Sequence, residues 1–119
     1  MKKAQSKIHG IGIFATENIA AGKKFYDVPM DNIHSKPKSG YAKIGKNKFV
    51  DDPEILNYMN HSCDPKAELI LGDEVCLNAL KPISTGDEIT CDYNKTEQGG
   101  EKMPCNCGSE NCRGFFLRN

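Results

Sequence analysis

Asn60-His61-Ser62-Cys63-Asp64-Pro65 places an amide, an imidazole, a hydroxyl, a thiol and a carboxylate in successive residues, and Pro65 then bars a helix from continuing. Such a stretch offers side chains and unpaired backbone groups to a ligand. A second concentration of chemistry lies far downstream, where Cys105-Asn106-Cys107-Gly108-Ser109-Glu110-Asn111-Cys112 spaces three thiols as C-x-C-x4-C. Three thiols on a glycine-containing loop can converge on one ion, but a closed structural zinc site takes four ligands. Cys63, Cys76 and Cys91 are the candidates for the fourth. Cys76 and Cys91 fall in strand-like runs, where cysteine acts as a small buried hydrophobe. Cys63 lies in the irregular polar stretch and is assigned to the ion, which predicts that the tail folds back over Asn60–Pro65.

The elements that must hold these groups are short. Asp52 to Met59 reads as a brief helix, with Asp52 as N-cap and Pro53 at the first helical position. Lys7-Ile8-His9-Gly10-Ile11-Gly12-Ile13-Phe14 reads as a glycine turn feeding a strand, its bare backbone open to close approach. Asn18-Ile19-Ala20-Ala21-Gly22-Lys23-Lys24-Phe25 and Pro82-Ile83-Ser84-Thr85-Gly86-Asp87-Glu88-Ile89 share one grammar. Each has isoleucine, two small residues, glycine, two charges and an apolar strand residue, so two equivalent corners are expected. Residues 30–48 read as an exposed loop with one strand near Tyr41–Ile44, and His34 as a solvated residue within it. Glu68–Leu71 and Val75–Leu80 flank Gly72-Asp73, a two-residue hairpin signal. Glu88–Tyr93 reads as a further strand, and residues 94–104 as a flexible connector. Six to eight strands and one or two short helices define a mainly β domain.

Composition narrows the function classes. The 119 residues suffice for one domain. Lysine plus arginine and aspartate plus glutamate number 16 each, so the formal charge is zero, which argues against binding nucleic acid by phosphate neutralisation. No run of 18 apolar residues exists to span a membrane, and the charged start lacks the apolar core of a secretory signal. An intracellular setting, cytoplasm or nucleus, is therefore expected, with the six cysteines as thiols and metal ligands rather than disulfides.

Gly10-Ile11-Gly12, Asn60 to Pro65, Gly86-Asp87-Glu88-Ile89-Thr90-Cys91-Asp92-Tyr93 and the C-x-C-x4-C tail, in that order, resemble a SET-domain protein lysine methyltransferase. The resemblance covers nearly the whole chain. It implies a β-clip fold of small sheets with knot-like threading of the C-terminal segment, residues 1–94 forming the SET domain and 95–119 a connector and "post-SET" zinc tail. It implies S-adenosylmethionine as methyl donor and a protein lysine, in a histone or another basic chromatin protein, as acceptor. Matched residue by residue, His9, Gly10 and Ile11 meet the donor's amino-acid part, and Asn60 and His61 its amine and adenine. Tyr93 is the catalytic tyrosine and also borders the donor, while Phe115, Phe116 and Leu117 form an apolar lid. Cys63, Cys105, Cys107 and Cys112 hold zinc, and Tyr41, Cys91 and Tyr93 border the lysine channel. The chain departs from the pattern at Asn57 (commonly arginine), Lys66 (often asparagine) and Cys91 (often Phe or Tyr), and its central insert is short. A cysteine in place of a ring leaves room in the channel, which predicts di- or trimethylated product. A monomer is the expected state. One alternative is a catalytically weak, zinc-stapled interaction module. Another, a nucleic-acid-binding zinc knuckle, fits poorly with Glu97, Glu101 and Glu110 around the cysteines.

Overall fold

The computed structural model describes all 119 residues. Every ladder is antiparallel, and the strands form three small sheets and a separate ribbon. The first sheet orders β1 (Lys2–Gln5), β2 (Ile11–Phe14) and β9 (Glu88–Ile89) as β1-β2-β9. The second orders β3 (Lys24–Asp27), β7 (Ala67–Ile70) and β8 (Cys76–Ala79) as β3-β8-β7. The third orders β4 (Ile33–His34), β5 (Ala42–Gly45) and β6 (Lys48–Val50) as β4-β6-β5. The ribbon pairs β10 (Glu101–Pro104) with β11 (Phe115–Arg118).

Period-two patterning sets the inward faces. In β8, Leu77 and Ala79 are buried and lie opposite Leu69 and Ala67 of β7. With Ile13, Val50, Met59, Ile83 and Ile89 they belong to one 14-residue cluster between the sheets. Each such side chain contributes about 1.5–3 kcal/mol by leaving water. The two corners of shared grammar meet each other: Ile19 and Ile83 exchange backbone hydrogen bonds of 2.8 and 2.9 Å. Their glycines, Gly22 and Gly86, sit at φ 81° and 91°, which explains the residue type at both turns.

Several expectations are corrected. The Asp52–Met59 helix shrinks to a 3-10 turn, Leu56–Tyr58. Ile55, not Asp52, takes the N-cap position; Asp52 accepts the Leu56 N–H at 3.1 Å from further back, and the Asn57 side chain takes the Asp52 N–H at 3.1 Å and competes with a regular helical ladder. The β7–β8 connection is five residues, 71–75, because register places Ile70 opposite Cys76. Residues 30–48 include β4 and the β5–β6 hairpin, whose tip sets Asn47 at φ 53°. The strand expected to run to Tyr93 stops at Ile89. After it, Cys91 makes one parallel bridge to His61, and Asp92 caps a single helical turn, α1 (Tyr93–Thr96), accepting the Asn94 N–H at 3.0 Å. The supposed connector contributes β10, so it is paired structure. No helix is long and apolar enough to cross a membrane.

Candidate functional site: two cavities meeting at Tyr93

The Asn60–Cys63 stretch leaves the 3-10 turn and lies beside the segment after β9. Ser62 N–H donates to the Cys91 carbonyl at 3.0 Å, and Cys91 N–H to the Asn60 carbonyl at 3.2 Å. The first sheet orients Asn60 from the other side. Its amide nitrogen lies 3.1 Å from Ser6 Oγ, 2.9 Å from the His9 carbonyl and 3.0 Å from Glu88 Oε2, and Ser6 donates to Glu88 Oε1 at 2.7 Å. A Cβ at Gly12 would collide with the Glu88 carboxylate, so this glycine makes room for Glu88 rather than for a ligand.

His61 is fixed in one tautomer. Its Nδ1 accepts the Tyr93 N–H at 3.0 Å, so Nε2 carries the proton and donates to Cys63 Sγ at 3.4 Å. Burial holds its pKa below the usual imidazole range, against the pull of Asp92, so the ring is neutral. His61 stacks on Phe116 at 5.3 Å, and Tyr93 stands edge-on to both rings at 5.5 and 5.6 Å. The Tyr93 hydroxyl donates to the Met59 carbonyl. Burial raises its pKa well above the ordinary phenol range, so it stays protonated.

Two cavities adjoin this cluster. The larger, about 370 Å³, is lined by Tyr41, Leu56, Met59, Leu69, Cys91 and Glu97, among others. The smaller, about 230 Å³, is lined by Ile8, His61, Met103, Pro104 and Phe116, among others. His9, Asn60, Tyr93 and Arg118 line both. Although Cys91 and Tyr93 do not share a strand, they still face the larger cavity together, and burial pushes the Cys91 thiol up to about 12. Tyr41 lines the same cavity and stacks on His34 at 4.9 Å, so His34 supports a wall residue. Ile11 lines the larger cavity, while Gly10 lines neither and instead offers its carbonyl to Ser6 N–H at 2.8 Å. Phe115 also lines neither. Alternation along β11 puts it on the opposite face from Phe116, under Lys102 Nζ at 4.6 Å.

The four cysteines picked from sequence converge. Sγ atoms of Cys63, Cys105, Cys107 and Cys112 all lie within 4.8 Å of one another, and those of Cys63 and Cys105 are 3.9 Å apart. Zinc–sulfur bonds of about 2.3 Å in a tetrahedron put sulfurs roughly 3.8 Å apart, so the set fits that ion. All six cysteines are free thiols. Cys63 Sγ also accepts the Arg113 N–H at 3.3 Å, and Cys112 Sγ the Gly114 N–H at 3.4 Å. Burial opposes ionisation of Cys107, but the Ser109 hydroxyl and backbone N–H groups bring it down to about 6. Burial pushes Cys105 up to about 12. A cation among them removes that conflict.

Sequence reasoning missed the residues that tie the tail to the cavities. Arg113 donates to Asp92 at 2.8 Å, Asn111 to the Cys63 carbonyl at 3.1 Å, and Leu117 N–H to Asn94 at 2.8 Å. The arginines flanking Phe115–Leu117 were the available signal; Ser6 gave none. Glu97, expected near the cysteines, is 6% exposed and lines the larger cavity instead, accepting the Lys43 N–H at 2.8 Å.

A family model for the SET domain matches residues 10–94, and the chain belongs to the SET-domain family. Among known proteins it is similar to the H3 lysine-4 specific histone-lysine N-methyltransferase of Kluyveromyces lactis, with 32% identity over 137 residues, covering 95% of this chain and 14% of that protein. It is 33% identical to histone-lysine N-methyltransferase trithorax of Drosophila virilis, covering 94% of this chain and 3% of the relative. It is 30% identical to human histone-lysine N-methyltransferase 2B, covering 94% and 5%. The chain thus spans a small part of the length of these relatives. The methyltransferase domain of human SETMAR shares the fold at a TM-score of 0.67 and 20% identity, covering 94% of this chain and 55% of that one. KRYPTONITE in complex with mCHG DNA and SAH does so at 0.72 and 22%, covering 93% and 27%.

Proposed function

We propose that this chain is a protein-lysine N-methyltransferase that binds S-adenosylmethionine in the smaller cavity and admits a lysine side chain through the larger one. The observation that carries the reading is the shared seam: Tyr93 and Asn60 line both cavities, so a donor and an acceptor entering from opposite sides would meet beside the Tyr93 hydroxyl. The SAH held by KRYPTONITE and the histone-lysine methyltransferase relatives support it. Residues 1–94 are assigned as the SET domain and 95–119 as connector and zinc tail, with zinc on Cys63, Cys105, Cys107 and Cys112.

When bound, the donor supplies a methyl group made electrophilic by its sulfonium. The rest falls to the protein. The amine must be neutral, and deprotonating a lysine of pKa about 10.4 near pH 7.4 costs roughly 4 kcal/mol. Leu56, Met59, Leu69 and Cys91 give the channel apolar walls, and desolvation there offsets part of that cost. Because the Tyr93 hydroxyl donates its hydrogen bond to the Met59 carbonyl, its oxygen lone pairs remain to accept from the incoming amine or from the polarised methyl hydrogens. It positions the nucleophile; it does not deprotonate it. Asn60, with its nitrogen engaged by Ser6, His9 and Glu88, would have its side-chain carbonyl oxygen left to accept from the donor's amine. The His61–Phe116 stack provides the flat apolar surface an adenine needs. Placing both reactants on one axis supplies much of the acceleration.

Incubation of the purified protein with methyl-labelled donor and cell extract is the test. Label transferred to lysine of an extract protein supports the reading. Donor binding without transfer to any protein would favour the interaction module.

A further inference from the structure

Glu97 is the one carboxylate lining the larger cavity, and it is only 6% exposed. Three elements hold it. Its own N–H closes α1 on the Tyr93 carbonyl at 2.7 Å. One carboxylate oxygen accepts the Lys43 N–H of β5 at 2.8 Å, and the other accepts from the Asn119 amide at 3.2 Å. Both oxygens act as acceptors, as in an ionised carboxylate, and both donors are neutral. The two bonds leave capacity over, since such a group offers about four lone-pair sites.

The nearby cations turn elsewhere. Arg118, the one cation lining the cavity, donates to Ser39 at 3.2 Å, and Lys43 Nζ donates to the Gln98 carbonyl at 2.8 Å. None of the chain's ion pairs includes Glu97. Asp51, Asp52 and Glu88, beside the lining residues Asn57, Leu56 and Asn60, also accept from neutral donors and keep their charge. The Glu97 charge is felt inside the cavity: after burial itself, it is the chief influence that pushes the Cys91 thiol up to about 12. A buried charge is costly unless it is paired. Leu56, Met59 and Leu69 offer it nothing polar, so its natural counter-charge is a cationic guest.

We propose that Glu97 is a specificity-determining residue whose carboxylate receives the ammonium of the target lysine and so selects a cationic side chain for the channel. The identity of the guest rests on the methyl-transfer reading. A lysine stem suits the apolar walls, and its head brings three N–H donors to a carboxylate with acceptor sites to spare. The pair forms with the protonated side chain, whereas transfer needs the neutral amine. Glu97 therefore serves capture, and alignment for transfer is left to Tyr93. Removing its charge should raise KM for the peptide more than it lowers kcat.

The test is an NMR titration of isotope-labelled protein, without donor, by two short uncharged peptides that differ only in a central lysine or norleucine. A methyl-transfer assay is run on the lysine peptide. That peptide should bind on the order of tenfold more tightly, as a charge-assisted hydrogen bond gives, and should shift the Lys43 amide signal. The preference should persist near about 0.5 M salt, because a buried pair is screened little. A preference that vanishes there belongs to surface charge and overturns the proposal. Glu97→Gln keeps the volume and, with the Asn119 amide turned over, both hydrogen bonds, so it should melt at or above the wild-type temperature. It should bind the two peptides alike or favour norleucine, which enters an apolar shaft with no charge to desolvate. Glu97→Asp, which keeps the charge but draws it back, should fall between. A wild-type preference surviving in Glu97→Gln overturns the proposal. So does equal binding to the wild type, or no binding of either peptide at millimolar concentration, even where the lysine peptide is methylated and the enzyme reading stands. A lysine preference lost in Glu97→Gln, with no methylation by any form, supports the role of Glu97 and sinks the enzyme reading.

Discussion

Tyr93 and Cys91 each carry a separate part of the chemistry proposed for the seam. Removing the Tyr93 oxygen deletes the acceptor proposed to align the amine, but leaves the ring against His61 and Phe116. Tyr93→Phe should therefore cut turnover by about two orders of magnitude or more while donor affinity, read by calorimetry, changes little. Denaturant titration should show a loss of about 1 kcal/mol, because the Met59 carbonyl loses its partner. Asn60→Ala should do the reverse, weakening donor binding first, since it also releases Ser6, His9 and Glu88. At Cys91 the question is volume. A thiol beside the Tyr93 ring is small and a poor hydrogen-bond partner, so the channel can accept an amine that already carries methyl groups. Mass spectrometry of one peptide over time should show di- or trimethyl product from the wild type and a shift toward monomethyl in Cys91→Tyr. Wild-type product that stops at monomethyl would point to Tyr41, which lines the same cavity, and not to Phe49, which is buried in the core.

The tail ribbon and the cysteine cluster act as one element. Cys63 belongs to the central polar stretch and the other three thiols to the tail, so an ion among them would clamp β10–β11 against His61. Arg113–Asp92, Asn111–Cys63 and Leu117–Asn94 are the remaining ties, most of them partly solvated and each worth about 1 kcal/mol or so. Phe116, Met103 and Pro104 reach the smaller cavity only through this ribbon. Metal analysis should give one zinc per chain. Chelation, or Cys107→Ser, should raise hydrogen exchange in 101–118 and weaken donor binding, while exchange in β7 and β8 stays slow. Disulfides among these four cysteines in the purified, active protein would remove the assignment. The cluster was legible from spacing because thiols at C-x-C-x4-C have few other uses in a reducing compartment. The ribbon was not: Glu101-Lys102-Met103-Pro104 has no alternation and ends in proline, and only the partner strand Phe115–Arg118 makes it a strand.

Across the whole molecule, what the sequence revealed follows from what each kind of signal encodes. Motif residues such as Asn60, His61, Tyr93 and Cys63 are polar or reactive types, most of them gathered in one irregular stretch, so their types drew attention to them. The shared corner grammar also announced itself, because positive φ at Gly22 and Gly86 restricts residue choice. Short elements fixed by tertiary contact did not: the 3-10 turn read as a helix because capping signals do not report length, and Glu88–Tyr93 read as one strand because alternation cannot show where pairing stops. The positioning network of Ser6 and Glu88 joins residues 82 apart in sequence, a distance no local pattern spans. The same division separates the stability of the core from that of the site. Leu77 is fully buried among the sheets, so Leu77→Ala should cost about 2–5 kcal/mol of global stability. Gly100 instead lies against the tail backbone, where a Cβ would sit 2.5 Å from the Arg118 carbonyl carbon and 2.6 Å from its oxygen. Backbone cannot swing aside like a side chain, so Gly100→Ala must push Arg118 away from the seam it shares with both cavities. We expect Gly100→Ala to weaken donor and peptide binding together, with its global unfolding transition shifted far less than that of Leu77→Ala. Calorimetric titration beside thermal unfolding reads both quantities, and a Gly100→Ala protein that binds both ligands normally would show that Arg118 and the ribbon end do not complete the site.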